Sequence, residues 1–499
     1  MSQHEAYQGK RVAVTGGDSS RKVNLSQCLL ACVAYLIILI ARAWGAQRFL
    51  HFEETWMVGA SRSISTVAVW DDHAYGMFIQ WFLNEVPTFF DLLWTPSILV
   101  GLSILTWLSC AIWINQTLIR VGAPVAVAIV GPLALCFLPL PEVAYIGLSS
   151  SSGFPLAVAV IVIVSISDLP TTRRKSIFEL AIFAFVAAST PTAIVGAAVA
   201  GLRLLAKNGS RRTNILRISV IFFGTAISLA VARFQEAPMT YIGNWDPSTN
   251  ADREVLNRIT DSGGFSVRER VSVGLVKTLL NVPGTIRFVV TQFYPEPWAS
   301  RAILETSGLV KFFQVVVPLL SVIVIVAIIA RFRSLSTERP SITVALWLFI
   351  GAGMSVIIQH LIVGQLTSRQ YLFIPLALFW MAILILISSA VVARFSRAII
   401  LLLPLVFCFV SVVFQNFRDP FQENPRQGGT GRYAKTELWR PALIKARQDC
   451  NLLDESTVVV VSQVNPNDPM IKQMINTSGL KFAWFDHPFV ARCYVIRDR

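Results

Sequence analysis

The chain has 499 residues, of which 54% are hydrophobic and only 14% are charged, and its mean hydropathy is +0.60. Soluble domains carry about 25% charged residues, so this composition excludes an ordinary soluble enzyme and indicates a polytopic membrane protein. The net charge of +14 does not indicate nucleic-acid binding, because the basic residues fall mainly in short segments between apolar runs, where the anionic inner leaflet is a sufficient partner.

The apolar runs predict about eleven membrane helices, since roughly 20 apolar residues are needed to cross about 30 Å of hydrocarbon. A polar tail over 1–22 precedes an uncleaved first helix, and the transmembrane domain covers 23–415. The predicted spans are 23–42, 94–115, 121–140, 152–168, 176–188, 191–206, 214–234, 308–331, 342–364, 370–392 and 397–415.

The positions of the basic residues predict how these helices are oriented in the membrane, because short cytoplasmic loops are rich in Lys and Arg. The basic segments assigned to the cytoplasm include 120, 173–175, 203–217, 331–339 and 394–397. The N-terminus then lies in the cytoplasm, and the loops 43–93 and 235–307 and the tail 416–499 lie outside. The extracytoplasmic face is therefore the expected working face.

Basic clusters flank the segment 176–205 at both ends, so one helix cannot leave both of them in the cytoplasm. Pro191 is well placed to begin a second helix. We expect two short helices joined by a turn, and a re-entrant hairpin remains an alternative.

The tail has the composition of a soluble unit and predicts a small α/β domain, with a helix over 437–447 and strands over 457–462, 481–485 and 492–496. Cys450 and Cys493 both lie in this tail, where an oxidising compartment would permit a disulfide. The other five cysteines lie in apolar segments without metal-ligand spacing and are interpreted as packing residues.

The strongest chemical signal is a pair of carboxylates, Glu53 and Glu54, shortly after the first helix. On a helix they point about 100° apart, so one of them can face a cavity while the other faces water. Aromatic neighbours would raise the pKa of a buried carboxyl group, which suits a general base toward an alcohol. The alternative is an interfacial helix whose acids are simply solvated.

Asp71, Asp72 and His73 follow in the same loop. Carboxylate oxygens suit a divalent cation such as Mg²⁺ or Mn²⁺ that bridges a phosphate. A turn or helix cap is an equal alternative. No cofactor is required by the sequence.

Further candidates lie later in the chain. Arg369 and Tyr371 lie at the outer end of a predicted helix, where Arg can bind a phosphate in a forked geometry or snorkel to the interface. His360 lies inside an apolar span and faces either a cavity or a structural partner. Arg268 lies in a helical pattern over 267–280 of the second outer loop and is a candidate substrate-binding cation.

The order of these features resembles the C-type (GT-C) superfamily of membrane glycosyltransferases, and within it a bacterial group with an acidic pair in the first outer loop. The residues that carry the resemblance are Glu53-Glu54, Tyr75-Gly76, Arg369 and Tyr371 with Pro375, and Trp439 with Cys450. The resemblance implies a GT-C-like bundle in the bacterial cytoplasmic membrane and an inverting transfer from a polyprenyl-phosphate sugar to a cell-envelope acceptor.

The resemblance also implies residue roles. Glu54 would be the catalytic base, with Glu53 as second candidate, and Arg369 would hold the donor phosphate. Asp71, Asp72 or His73 would position the acceptor or a metal, and Tyr75 would contact substrate. The remaining function classes are a transporter or flippase, a polysaccharide polymerase acting on lipid-linked glycans, and a structural envelope protein. Transporters typically have repeated halves with charged or broken helices at the midplane, and this chain does not show that pattern.

Overall fold

The computed structural model describes residues 25–43, 78–137, 152–170, 172–234, 340–363, 373–392, 439–455, 457–461 and 489–497. These residues are mostly helical. Four helical stretches have the length and hydropathy to cross a membrane, and they are Leu92–Arg120, Arg211–Ala230, Ser341–Ile358 and Phe373–Val392. The described part is therefore that of a helical membrane protein.

The helices of the apolar region, in chain order, are α1 (Leu25–Ala43), α2 (Phe78–Glu85), α3 (Thr95–Arg120), α4 (Val125–Val130), α5 (Leu133–Phe137), α6 (Gly153–Ile166), α7 (Arg173–Ser189), α8 (Ile194–Leu205), α9 (Arg211–Phe234), α10 (Pro340–Val363) and α11 (Phe373–Val392). Short 3-10 helices cover Val86–Phe89, Leu92–Trp94 and Pro191–Ala193. The predicted spans 308–331 and 397–415 and the helical pattern over 267–280 lie outside the described residues.

Helix α6 lies at the centre of the bundle. From Ala157 to Val164 no side chain is more than 1% exposed, which is expected for a helix that is apolar on every side. Helices α3, α8, α10 and α11 pack around it. Phe373 at the start of α11 meets Trp107 of α3 edge to face, with ring centroids 5.2 Å apart.

The prediction of two short helices within 176–205 is confirmed. Helix α7 ends at Ser189, a 3-10 turn follows at Pro191, and α8 begins at Ile194. One detail of the prediction is wrong. Residues 173–175, expected in a loop, form the first turn of α7.

The prediction of a continuous helix over 121–140 is also wrong. The chain is helical over α4 and α5 but is interrupted at Gly131 and Pro132. Pro132 has no N–H to donate and its ring obstructs the carbonyl four residues earlier. A Cβ at Gly131 would lie 3.1 Å from Ile385, so the missing side chain lets α11 pack closely against the break.

The tail contains helix α12 (Trp439–Asn451), strands β1 (Val458–Val461) and β2 (Phe489–Arg492), and helix α13 (Cys493–Arg497). The strands are antiparallel, with Val458 opposite Arg492 and Val461 opposite Phe489. The predicted strand over 492–496 is wrong after its first residue: β2 ends at Arg492, opposite Val458, and the chain continues as α13 from Cys493. The predicted strand over 481–485 lies outside the described residues.

Candidate functional site

Most of the predicted site residues lie outside the described residues: Glu53, Glu54, Asp71, Asp72, His73, Tyr75, Arg268, Arg369 and Tyr371. His360 lies in the last turn of α10. Within the described ranges, no three His, Cys, Asp or Glu side chains come close enough to bind a metal ion together. The structure does describe how the chain is fixed immediately after the acidic first loop.

Asp91 fixes the backbone where this loop enters α3. Its Oδ1 accepts a hydrogen bond from the Leu93 amide at 2.8 Å and caps the 3-10 helix Leu92–Trp94. The same oxygen pairs with the Arg447 guanidinium of α12 at 2.7 Å. A charge-assisted contact of this length is among the stronger kinds of hydrogen bond. One carboxylate therefore joins the helix start to the tail.

Trp439 provides a second, buried link between the same two segments. Its indole Nε1 donates to the Leu92 carbonyl at 2.7 Å, across 347 positions of sequence. Trp439, Leu92 and Leu99 are each at most 1% exposed. They share an apolar core with Leu443 and other tail residues. Because an indole N–H is rarely buried without a partner, this contact fixes the position of α12 against α3.

The tail is itself held by a covalent link. Cys450 at the end of α12 and Cys493 at the start of α13 form a disulfide, with Cα atoms 5.2 Å apart. The Cys493 amide donates to the Thr457 carbonyl at 2.8 Å, and Arg447 Nε donates to the Ile496 carbonyl at 3.0 Å. The disulfide partners are those that the sequence analysis paired. A folded, cross-linked unit therefore packs against the end of the segment that precedes α3.

A different polar cluster joins α6, α7, α8 and α9. It contains Arg203 and Arg217, which the sequence analysis assigned to a basic cytoplasmic segment and which the structure instead buries within helices. Arg217 of α9 is fully buried and donates to Glu179 Oε1 of α7 at 2.6 Å. It also donates to the Ser167 carbonyl at 2.5 Å, and its guanidinium lies 5.6 Å from the centroid of the Phe183 ring. Burying two charges is costly unless they are paired and hydrogen-bonded, and this geometry supplies both conditions.

Arg203 of α8 completes the cluster. It donates to the carbonyls of Val164 and Ser167 at the C-terminal end of α6 and pairs with Asp168 at 3.5 Å. The last carbonyls of a helix have no partner within the helix. Arg203 therefore caps α6 with a side chain that comes from another helix.

The turn between α8 and α9 closes over this cluster. The Ser210 amide donates to both Asp168 carboxylate oxygens at 3.2 Å. Gly209 has a φ of 78°, and a Cβ there would lie 2.5 Å from Asp168 Oδ1. The left-handed conformation favours glycine at this position, and a side chain here would displace the Asp168 carboxylate and the Arg203 guanidinium.

The charges of this cluster balance, with two arginines matched by Glu179 and Asp168. Its contacts tie helices together, and we assign it a structural role. Glu179 and Arg217 lie within apolar helical stretches, where an ionisable side chain is costly unless it is paired. This was the signal in the sequence that could have indicated a buried ion pair.

No protein-family model matches the chain, and no curated protein matches it at a significant level. The assignment of function therefore rests on the residues and contacts described above.

Proposed function

We propose that this protein is a C-type membrane glycosyltransferase that moves a sugar from a polyprenyl-phosphate donor to a cell-envelope acceptor. The observation that carries the proposal is the docking of the tail through Trp439 and Arg447 onto Leu92 and Asp91. It joins a folded C-terminal unit to the end of the acidic first loop. The helical membrane body and the short helix pair α7 and α8 also support it, since the superfamily that the chain resembles combines a helical bundle, paired short middle helices and a C-terminal extracytoplasmic domain.

In this proposal the protein lies in the bacterial cytoplasmic membrane with about eleven crossings, a cytoplasmic N-terminus and an extracytoplasmic tail that forms a small α/β domain. Helices α6, α7 and α8 have 14, 17 and 12 residues, fewer than the roughly 20 that cross a bilayer. The central helix α6 is enclosed by other helices, so its side chains contact protein and not lipid where it crosses the membrane.

In the proposed reaction, Glu53 and Glu54 lie beside the acceptor hydroxyl. Glu54, or Glu53 in its place, takes the proton from the acceptor hydroxyl, and the oxygen attacks the anomeric carbon from the side opposite the phosphate. The bond between that carbon and the phosphate oxygen breaks, and the lipid phosphate leaves with the electron pair. Configuration at the anomeric carbon inverts. Arg369 stabilises the leaving phosphate, because fixed positive charge in a dehydrated cleft favours the charge that develops there.

The other candidates contact the substrates. Asp71, Asp72 and His73 position the acceptor or bind Mg²⁺ or Mn²⁺. The remaining substrate-binding candidates are Tyr75, Arg268, His360 and Tyr371.

The test is sugar release from a panel of radiolabelled polyprenyl-phosphate donors by purified full-length protein in lipid nanodiscs. Glu54→Gln should lower turnover by about 100-fold or more, as expected for loss of a general base, while donor binding stays intact. Arg369→Ala should weaken donor binding.

The matched control is Glu455→Gln, whose side chain is 77% exposed in the tail and should leave turnover unchanged. Equal turnover in Glu54→Gln, Glu53→Gln and wild type would contradict the assignment of the base. A wild-type protein that binds no donor and consumes none would contradict the transferase itself and favour transport.

A further inference from the structure

We propose that the adjoining starts of α7 and α9 form a binding surface for the headgroup of an anionic phospholipid. This surface, here called the cationic end, consists of Arg173, Arg174 and Lys175 of α7, Arg211 and Arg212 of α9, and Lys207 in the turn that precedes α9. The inference is independent of the proposed enzymatic function.

The two helices run parallel and begin at the same end of the bundle. Glu179 lies six positions after the first residue of α7, and its partner Arg217 lies six positions after the first residue of α9. Further along, Gly224 of α9 is so close to α7 that a Cβ there would lie 2.3 Å from the Ala184 carbonyl oxygen. The first turns of both helices are therefore neighbours, and each carries a run of basic residues.

The cationic end has no internal counter-charge within the described part of the chain. All six side chains are exposed, and none of them forms an ion pair with another described residue. The carboxylates nearest in sequence are already engaged, Glu179 by Arg217 and Asp168 by Arg203 and the Ser210 amide. The dipoles of α7 and α9 also disfavour the five positive charges in the first turns of these helices. Together with Lys207, these charges favour an anionic partner.

Exposed apolar side chains adjoin these cations and identify that partner as a lipid. Phe178, about one turn beyond the basic residues of α7, is 68% exposed, and Leu205 at the end of α8 is 80% exposed. Ile177, Ile215 and Leu216 are also exposed. A soluble anion would engage only the cations, whereas a phospholipid places its phosphate on them and its acyl chains along the apolar side chains.

The experiment titrates the full-length protein in neutral detergent with phosphatidylglycerol or phosphatidylcholine and counts bound lipids by native mass spectrometry. Wild type should bind phosphatidylglycerol at least about tenfold more tightly, since each Lys or Arg near an anionic headgroup corresponds to about a fivefold change in affinity. Replacing Arg173, Arg174 and Lys175 with Gln, or Arg211 and Arg212 with Gln, should remove most of this preference.

The control is Arg440→Gln with Lys445→Gln, which removes two exposed charges from α12 and should leave the preference unchanged. Equal affinity for the two lipids, or cationic-end variants that behave as wild type, would overturn the proposal. A further arm adds soluble glycerophosphoglycerol. If this headgroup without acyl chains competes as well as the lipid does, the surface binds free anions and the lipid assignment is wrong.

Discussion

Arg217 and Glu179 form an ion pair whose side chains are 0% and 6% exposed, so removal of one partner leaves the other buried and uncompensated. Glu179→Gln keeps the shape of the side chain but removes its charge. We expect a loss of about 3 kcal/mol in the free energy of unfolding, the cost typical of breaking a buried pair from one side. Denaturant unfolding of the purified protein in detergent micelles measures it.

The double variant Glu179→Leu with Arg217→Met is the control for this prediction. It removes both charges at once and leaves neither group unpaired, so it should be less destabilised than Glu179→Gln alone. If the loss in the double variant equalled the sum of the losses measured in Glu179→Leu alone and in Arg217→Met alone, the two side chains would not act as a pair.

At the scale of the elements, the contact between α7 and α9 depends on Gly224. A Cβ at this position would lie 2.3 Å from the Ala184 carbonyl oxygen and 2.9 Å from the Ala187 Cβ. Because a backbone carbonyl cannot move aside as a flexible side chain can, Gly224→Ala should push the helices apart. We expect a loss of about 1 to 3 kcal/mol, as for other overpacked cores, visible as a lower thermal unfolding midpoint.

Gly201→Ala is the matched control, since it makes the same change within α8. A Cβ at Gly201 would meet nothing within 4 Å, and Ala is favoured over Gly in a helix by about 0.5 to 1 kcal/mol. This variant should be neutral or slightly stabilised. If both variants had the same unfolding midpoint, close packing at Gly224 would not be what holds the two helices together.

The elements that could be predicted from sequence are those with a local signal. Pro191 indicated the break between α7 and α8, and hydropathy located α1, α9, α10 and α11 within a few residues. The pairing of Glu179 with Arg217 and the docking of Trp439 on Leu92 could not be predicted, because these contacts span 38 and 347 positions. Nothing in the local sequence specifies which distant backbone carbonyl an indole N–H will meet.

At the scale of the whole molecule, α3 separates the tail from the buried arginine cluster. The tail packs on Leu92, just before α3, and on Leu99 near the start of α3. Toward the other end, Trp113 of α3 lies 6.1 Å from Phe183 between ring centroids, and Phe183 lies beneath the Arg217 guanidinium. With 26 residues, α3 is about 39 Å long, enough to cross a bilayer. We therefore expect the tail and the cationic end on opposite sides of the membrane.

Two single-cysteine additions test this arrangement in intact cells with a membrane-impermeant maleimide. Leu452→Cys lies at an 88% exposed position just after α12, and Ala206→Cys lies at an exposed position at the end of α8. The first should be labelled in intact cells, and the second only after the membrane is opened, because the positive-inside rule assigns the basic end to the cytoplasm. Labelling of the protein without either addition measures the background from its own free cysteines, such as Cys28 and Cys32. If both positions react from outside, the tail and the cationic end share a face, and their placement on opposite sides of the membrane is wrong. If Leu452→Cys reacts only after the membrane is opened, the tail is cytoplasmic, which contradicts the extracytoplasmic tail of the proposed function.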